Sequence, residues 1–509
     1  MAAVLIAGIG FASGPSAADD ERRPPQESEQ APSDTSMPAT QSPEDPETLR
    51  RELEAERARL KEQMRQLEKQ LEGYEEQARR LDELESRLKE AVDAEGPGKE
   101  TAETGAPTSP PGKDTDAEAP PPDRLETGQN QTRDEHEVLT AADLVADDFE
   151  GSWPLFGTSY RMKLGGYLKL DALYDFAGTG DKTQFLIGQI PVAGTPEAAR
   201  SGYFNMFVRE TRFNIDVRKS GSGGPAEQFF LEMDFFNASS YAPRLRHAYL
   251  VYGNLLVGQT WATVVELASL PFTIDFGAGD ALFGTRTPQV RWQQDLGSNW
   301  SWAIGLEMLQ SSGIYNPFDQ AGSASPQWPV LAGRLTHERK DGTRSLAAQV
   351  QELHWDGEGV GPDASATGWV VIFAGRENLG RRSFFTWNLA YGDGTAETIM
   401  ALTGSDANAV LTADGRLVTR QGYSVALGLG HEWTDTLSSN LAYAWTDLED
   451  IGQRAPDAIR SGGVGHLNLI WAPHKKLSTG IELMWGIREN ADGADGDATR
   501  VQAMVKYVF

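Results

Sequence analysis

The residues best placed to do chemistry in this chain are basic ones set inside alternating runs. Arg212 stands opposite in parity to Phe213 and Ile215. Arg244 and Arg246 flank Leu245, and Arg291 lies between Val290 and Trp292. Lys163 and Lys169 share one parity of the run 160–176, and Arg286 follows directly on the apolar stretch 261–285. Guanidinium forks match carboxylates in a bidentate geometry. A row of them facing one confined aqueous space would attract anions and orient dipolar solutes in a transverse field. Asp275 and Asp280, in the intervening stretch, could supply the opposing charge. The competing arrangement pairs each arginine with a nearby carboxylate (Glu210, Asp216, Glu232 or Asp234), so that the ion pairs merely stiffen a wall. For any one arginine that arrangement is at least as good a reading; for the set, a role toward solutes is favoured.

Catalytic arrangements find little support. The histidines are scattered and give no His-x-x-x-His pair for a metal, and His247 and His431 fall on apolar parities that read as interfacial. No nucleophile elbow and no phosphate-binding glycine loop is present. The chain has no cysteine, which removes disulfides, thiolate metal sites and cysteine nucleophiles. No cofactor, no metal and no enzymatic activity are expected.

The elements that must position the basic residues are strands. The last nine residues place Val501, Ala503, Val505, Tyr507 and Phe509 on one parity and Gln502 and Lys506 on the other. Such a period-two strand has one apolar face, and it ends on an aromatic residue. A transmembrane barrel needs a strand of this kind to close on its first. Similar alternation runs through Gly166–Phe176, Trp300–Met308, Tyr423–Leu429, Leu441–Trp445 and Ile481–Ile487. From residue 155 to 509 we expect an all-β transmembrane barrel of about sixteen antiparallel strands. Long connections (177–202, 261–287, 311–328, 356–367, 393–421, 449–462 and 489–498) alternate with short ones, with only 238–242 short where a long one is due, the asymmetry of a bacterial outer-membrane barrel. The stretch 261–287 carries Leu270, Phe272, Ile274, Phe276, Leu282 and Phe283, too apolar for a solvated tip, and is expected to fold into the lumen.

Composition agrees. A mean hydropathy of −0.44 and 39% hydrophobic residues exclude a polytopic helical membrane protein and leave room for a barrel with a polar lumen. The formal charge of −28 is concentrated early, about −20 of it before residue 151, and argues against nucleic acid as a partner. Residues 1–18 resemble a signal segment without its positive start, and 19–46 have the composition of a disordered stretch. Over 47–92, Leu53, Leu60, Leu67, Tyr74, Leu81 and Leu88 recur every seven residues, with Met64, Leu71 and Ala78 at the offset. That spacing predicts an α-helical coiled coil, with Arg57 and Glu85 weakening its seam. A Pro-rich acidic linker follows over 93–152.

The phrase Arg244-Leu-Arg-His-Ala-Tyr-Leu-Val-Tyr-Gly-Asn-Leu-Leu-Val-Gly-Gln-Thr-Trp261 is similar to the DcaP-like trimeric outer-membrane porins. So are Pro288-Gln-Val-Arg-Trp292, His466-Leu-Asn-Leu-Ile-Trp-Ala-Pro473 and Gly486-Ile-Arg-Glu-Asn490, as is a coiled coil ahead of the barrel. The resemblance covers most of 160–509. It implies a homotrimer in the outer-membrane lipid, a sixteen-stranded barrel, and passive uptake of small anionic, dicarboxylate-like solutes past Arg244, Arg246, Arg286 and Arg291. An even strand count with short turns after even-numbered strands places the N-terminal region in the periplasm. The alternative from another class is a structural anchor, in which the barrel holds a coiled-coil arm that reaches toward the cell wall.

Overall fold

The structure is a computed structural model that describes residues 139, 144, 149–155 and most of 157–509, leaving out 179, 220–223, 238–239, 281, 310, 400–406, 453 and 456. The expected signal segment, disordered stretch and coiled coil therefore lie outside the described residues, as does most of the linker.

Sixteen antiparallel strands close into a barrel. The first four are β1 (Tyr160–Ala177), β2 (Tyr203–Phe207, resuming at Arg212–Lys219), β3 (Glu227–Asp234) and β4 (Arg244–Tyr252). Then come β5 (Leu255–Trp261), β6 (Arg286–Gly297), β7 (Trp300–Glu307), β8 (Val330–Arg339), β9 (Gly342–Asp356) and β10 (Ala364–Asn378). The last six are β11 (Ser383–Asp393), β12 (Gln421–Glu432), β13 (Leu437–Leu448), β14 (Ile459–His474), β15 (Leu477–Asn490) and β16 (Asp495–Val508). Closure comes from β16 on β1, with Val505 opposite Leu170 and Ala503 opposite Ala172. The terminal strand does what its alternation predicts, and the described strands of the barrel wall close on one another without an open edge.

Burial follows the period of two. On β13, Leu441 and Tyr443 are 46% and 43% exposed on the outer face, while Ala442 and Ala444 between them are buried on the inner one. Short turns gather at one end of the barrel. Ser298 and Asn299, with φ of 51° and 66°, form one of them, the left-handed pair that suits the twist of a tight hairpin. Longer connections gather at the other end. The expected loop 489–498 is shorter than the sequence suggests, because Glu489 still pairs with Asp495 and only 491–494 are left as a turn.

What fills the lumen decides how the site is held. The inner face of β8–β13 carries a row of small residues: Ala332, Ala347, Ala374, Ala390, Ala426 and Ala444. Their size leaves room for the loop after β5, which folds inward as expected. Trp261, Val264, Val265, Leu267 and Phe283 pack on this alanine wall. Further along, Phe272 meets Phe384 edge to face, and Ile274 packs on Ile470 and Met504. Each such buried side chain contributes roughly 1.5–3 kcal/mol, ample to hold a loop in place of water. The approach is close: a Cβ on Gly428 would stand 2.8 Å from Pro271 Cβ and 2.4 Å from Thr386 Oγ1, so only glycine fits beneath the loop there. The connection between β1 and β2 also turns inward, burying Phe185, Ile187 and Ile190 in the same cluster.

Candidate functional site: the charged lumen wall

Opposite the alanine wall, β1–β6 and β14–β16 present ionisable side chains to the interior, and most are engaged with one another. Arg244 is bidentate on Asp234, with Nε and Nη2 at 2.9 and 2.7 Å. Arg246, fully buried, donates from Nε to Glu232 at 2.8 Å and from Nη1 to Asp234 at 3.0 Å. These pairs arise because β3 and β4 run side by side with Asp234 opposite Arg244. Arg212 is buried with its guanidinium 5.4 Å from the centre of the Tyr167 ring. Arg286 lies 4.4 Å over Trp261 at the foot of the loop. Lys163 is exposed near the short-turn end, opposite Asp216 on β2.

Lys169 does a different job. Its Nζ donates to Glu210 at 2.5 Å and to the Ile274 carbonyl at 2.7 Å, with Asp171 3.4 Å away. It therefore pins the inward loop to the wall. Glu482 on β15 completes the fastening, accepting from the backbone N–H groups of Ile274 and Asp275 at 2.8 and 3.0 Å. Asn468 and His466 hold Glu482 in turn, at 2.9 and 3.1 Å.

Asp275 and Asp280 point elsewhere than toward the row of arginines. Asp275 accepts from the backbone N–H groups of Phe185 and Gly277, and Asp280 from that of Ile187. They join the two inward loops to each other. Burial pushes the Asp280 carboxyl up to about 7 and that of Asp275 to about 6. Arg500 secures the first loop from the opposite side. It binds Asp175 through Nε and Nη2 and donates to the carbonyls of Gln184 and Asp181.

Arg291 stands apart from the ion-paired Arg244 and Arg246. It is buried, yet among the described residues its Nε and Nη2 have no hydrogen-bond partner. Glu307, whose charge acts on it, directs its oxygens to the Thr263 N–H at 2.6 Å and the Thr287 hydroxyl at 3.2 Å. Arg291 lines a cavity of about 430 Å³ under the loop, together with Arg334, Glu266, Gln293 and Trp261. Arg334 donates to the Val265 carbonyl and is close enough to Arg291 for the two charges to repel. No group of three or more His, Asp or Glu residues among those described is placed to hold a metal.

Arg334, Glu482, His466 and Arg500 were not singled out from the sequence. For Arg334 and Glu482 the inward parity of their strands was available as a signal. His247 corrects the sequence reading outright. A bulge between Glu232 and Met233 shifts the register, so that His247 turns inward, fully buried, with Nδ1 2.9 Å from Thr260 Oγ1.

A closed sixteen-stranded barrel with an apolar outer belt, a charged inner wall and a loop folded into its lumen defines an outer-membrane porin fold. The chain belongs to the DcaP outer membrane protein family, whose model matches residues 146–509. Among solved structures it is similar to the outer membrane channel DcaP of Acinetobacter baumannii, with 22% identity and a TM-score of 0.61 over 70% of this chain and 99% of that one. It is also similar to an anion-selective porin from Comamonas acidovorans, with 13% identity and a TM-score of 0.49 over 69% of this chain and 100% of that one. Comparison with curated proteins returns no match. Family and fold together point to a channel rather than an enzyme.

Proposed function

We propose that the barrel is a passive, water-filled diffusion channel of the outer membrane for small anionic solutes of the dicarboxylate class, assembled as a homotrimer. The observation that carries the anionic preference is Arg291: a buried guanidinium whose Nε and Nη2 have no hydrogen-bond partner among the described residues, on a residue that lines one cavity with Arg334. Two cations lining one cavity repel each other until an anion bridges them, and two carboxylates on one solute can engage both. Arg244, Arg246, Lys169 and Arg500 contribute indirectly, because their carboxylate and carbonyl partners fix the wall and the loops that set the width, and Arg212 packs on the Tyr167 ring in the same wall. Selection is by size and charge, with no turnover and no energy coupling. In this reading the short-turn end and the N-terminal arm face the periplasm, and the heptads over 47–92 reinforce the trimer.

The test is stepwise conductance of the purified protein in planar bilayers with succinate added on one side. Steps in groups of three, with transient succinate-dependent blocks that vanish in Arg291→Ala, support the proposal. Conductance with no succinate-dependent block at any concentration rejects the dicarboxylate preference, and absence of conductance returns the barrel to the anchor role.

A further inference from the structure

Four cations of the inner wall, Lys169, Arg244, Arg246 and Arg500, each hold a carboxylate and act as struts. Lys182 and Arg209 do not: among the described residues neither has a carboxylate at ion-pair distance, and each lies instead against an aromatic ring. Lys182 Nζ stands 5.9 Å from the centre of the Tyr203 ring, and the Arg209 guanidinium 5.2 Å from that of Tyr241. Arg209 gives one further donor, Nη1, to the Asn237 carbonyl at 3.1 Å.

The backbone sets both cations in place. Tyr203 and Asn205 share the inward parity of the first half of β2, which pairs with Asp171–Asp175 toward the long-connection end of β1. Arg209 falls in the interruption of β2, where its carbonyl accepts from the Phe235 N–H at 3.1 Å. Lys182 lies in the connection after β1, and its carbonyl accepts from Asn205 Nδ2 at 2.7 Å. The acidic neighbour, Asp181, is committed to its own turn: Oδ1 accepts from the Thr183 N–H and hydroxyl at 2.7 Å and from the Gln184 N–H at 2.9 Å. Together these residues line a cavity of about 560 Å³. Small organic ligands occupy cavities of roughly 300–1,000 Å³. The Arg291–Arg334 cavity is a separate one, lined also by Ser301 and Thr343 beside the short turns.

We propose that this cavity is a second binding site, specific for small aromatic carboxylates: the carboxylate engages Lys182 and Arg209, and the ring packs on Tyr203. An ammonium and a guanidinium with donors to spare match carboxylate oxygens. Because neither cation is neutralised within the wall, the incoming carboxylate displaces no protein carboxylate. A tyrosine ring adds an edge-to-face or offset contact that an aliphatic acid cannot make. Occupancy does not depend on solute passing through the barrel, so the site stands or falls separately from the channel reading.

The test is titration of para-fluorobenzoate into the full-chain protein in detergent micelles, followed by fluorine NMR. Saturable binding is expected, weakened about tenfold or more by Lys182→Gln with Arg209→Gln and changed less than about twofold by Arg291→Ala. Benzoate should displace the probe at concentrations at least about tenfold lower than acetate, and Tyr203→Leu should narrow that gap. No saturable binding up to about 10 mM, equal affinity in the double variant, or loss of binding in Arg291→Ala overturns the site. Equal potency of benzoate and acetate overturns its aromatic specificity and with it the role of Tyr203. Lys182 is exposed, so Lys182→Gln alone decides if the double variant fails to fold: binding about threefold weaker is expected, and unchanged affinity overturns the site.

Discussion

Lys169 Nζ sits 2.7 Å from the carbonyl oxygen of Ile274, so an ammonium on the first strand directly holds the tip of a loop that begins after the fifth. The same nitrogen is 2.5 Å from Glu210. One buried cation thus ties together the barrel wall, its counter-charge and the loop that narrows the lumen.

Replacing Lys169 by methionine keeps the volume but leaves Glu210 and Asp171 buried without their cation. Removal of one partner from a buried pair costs about 3–5 kcal/mol. The expected outcome is a lower midpoint in urea unfolding from detergent micelles. A double variant, Lys169→Met with Glu210→Gln, should recover a large part of the loss.

Glu482→Gln keeps one acceptor oxygen where the carboxylate offers two to Ile274 and Asp275. Losing one charge-assisted bond to a buried amide costs roughly 1.5–3 kcal/mol. The loop should then fluctuate, which would appear as excess open-channel current noise with the barrel still folded on a heat-shift gel. A quiet channel would mean that Glu482 does not restrain the loop.

Gly428→Val tests the close approach of the loop to its wall. The added Cβ meets Pro271 and Thr386 inside contact distance. Overpacking of this kind costs about 1–3 kcal/mol. It should displace the loop toward the open side of the lumen and reduce conductance, measurable in single-channel steps.

The joint between the two inward loops should respond to pH. Asp280 and Asp275 are raised by burial to about 7 and about 6, from an ordinary value of 3.8. A raised carboxyl binds its proton more tightly in the folded state, so its contribution is fully favourable below about pH 4 and is lost as pH rises through 6–7. At pH 8 both groups are ionised, the loop joint is looser and the lumen more negative. Anion preference in reversal-potential measurements should therefore fall between pH 5.5 and pH 8. Asp280→Asn keeps an acceptor for the Ile187 N–H and should flatten much of that change; an unaltered pH profile would count against it.

The barrel was legible because a membrane on one side and water on the other force a period of two on every strand, as in Leu441-Ala442-Tyr443-Ala444. The apolar loop was legible because Phe272 and Ile274 have no place on a solvated tip. Which arginine meets which carboxylate was not legible, because it depends on cross-strand register. The bulge beside Met233 moves His247 from the outer face to the inner one without any mark in the residues around it. The direction of Asp275 and Asp280 was lost for a related reason: their partners are backbone amides of Phe185 and Ile187, far away in sequence. The run Phe185-Leu-Ile-Gly-Gln-Ile-Pro-Val192 carries the same signal as the second loop and could have revealed the first.

Anion selection by Arg291 and Arg334 is tested most directly by the reversal potential of the purified channel under a salt gradient, for the unaltered protein and for Arg291→Ala with Arg334→Ala. Anion preference should fall to near neutrality in the double variant while the conductance steps persist. A cation-preferring channel, or an anion preference untouched by the loss of both arginines, would contradict it.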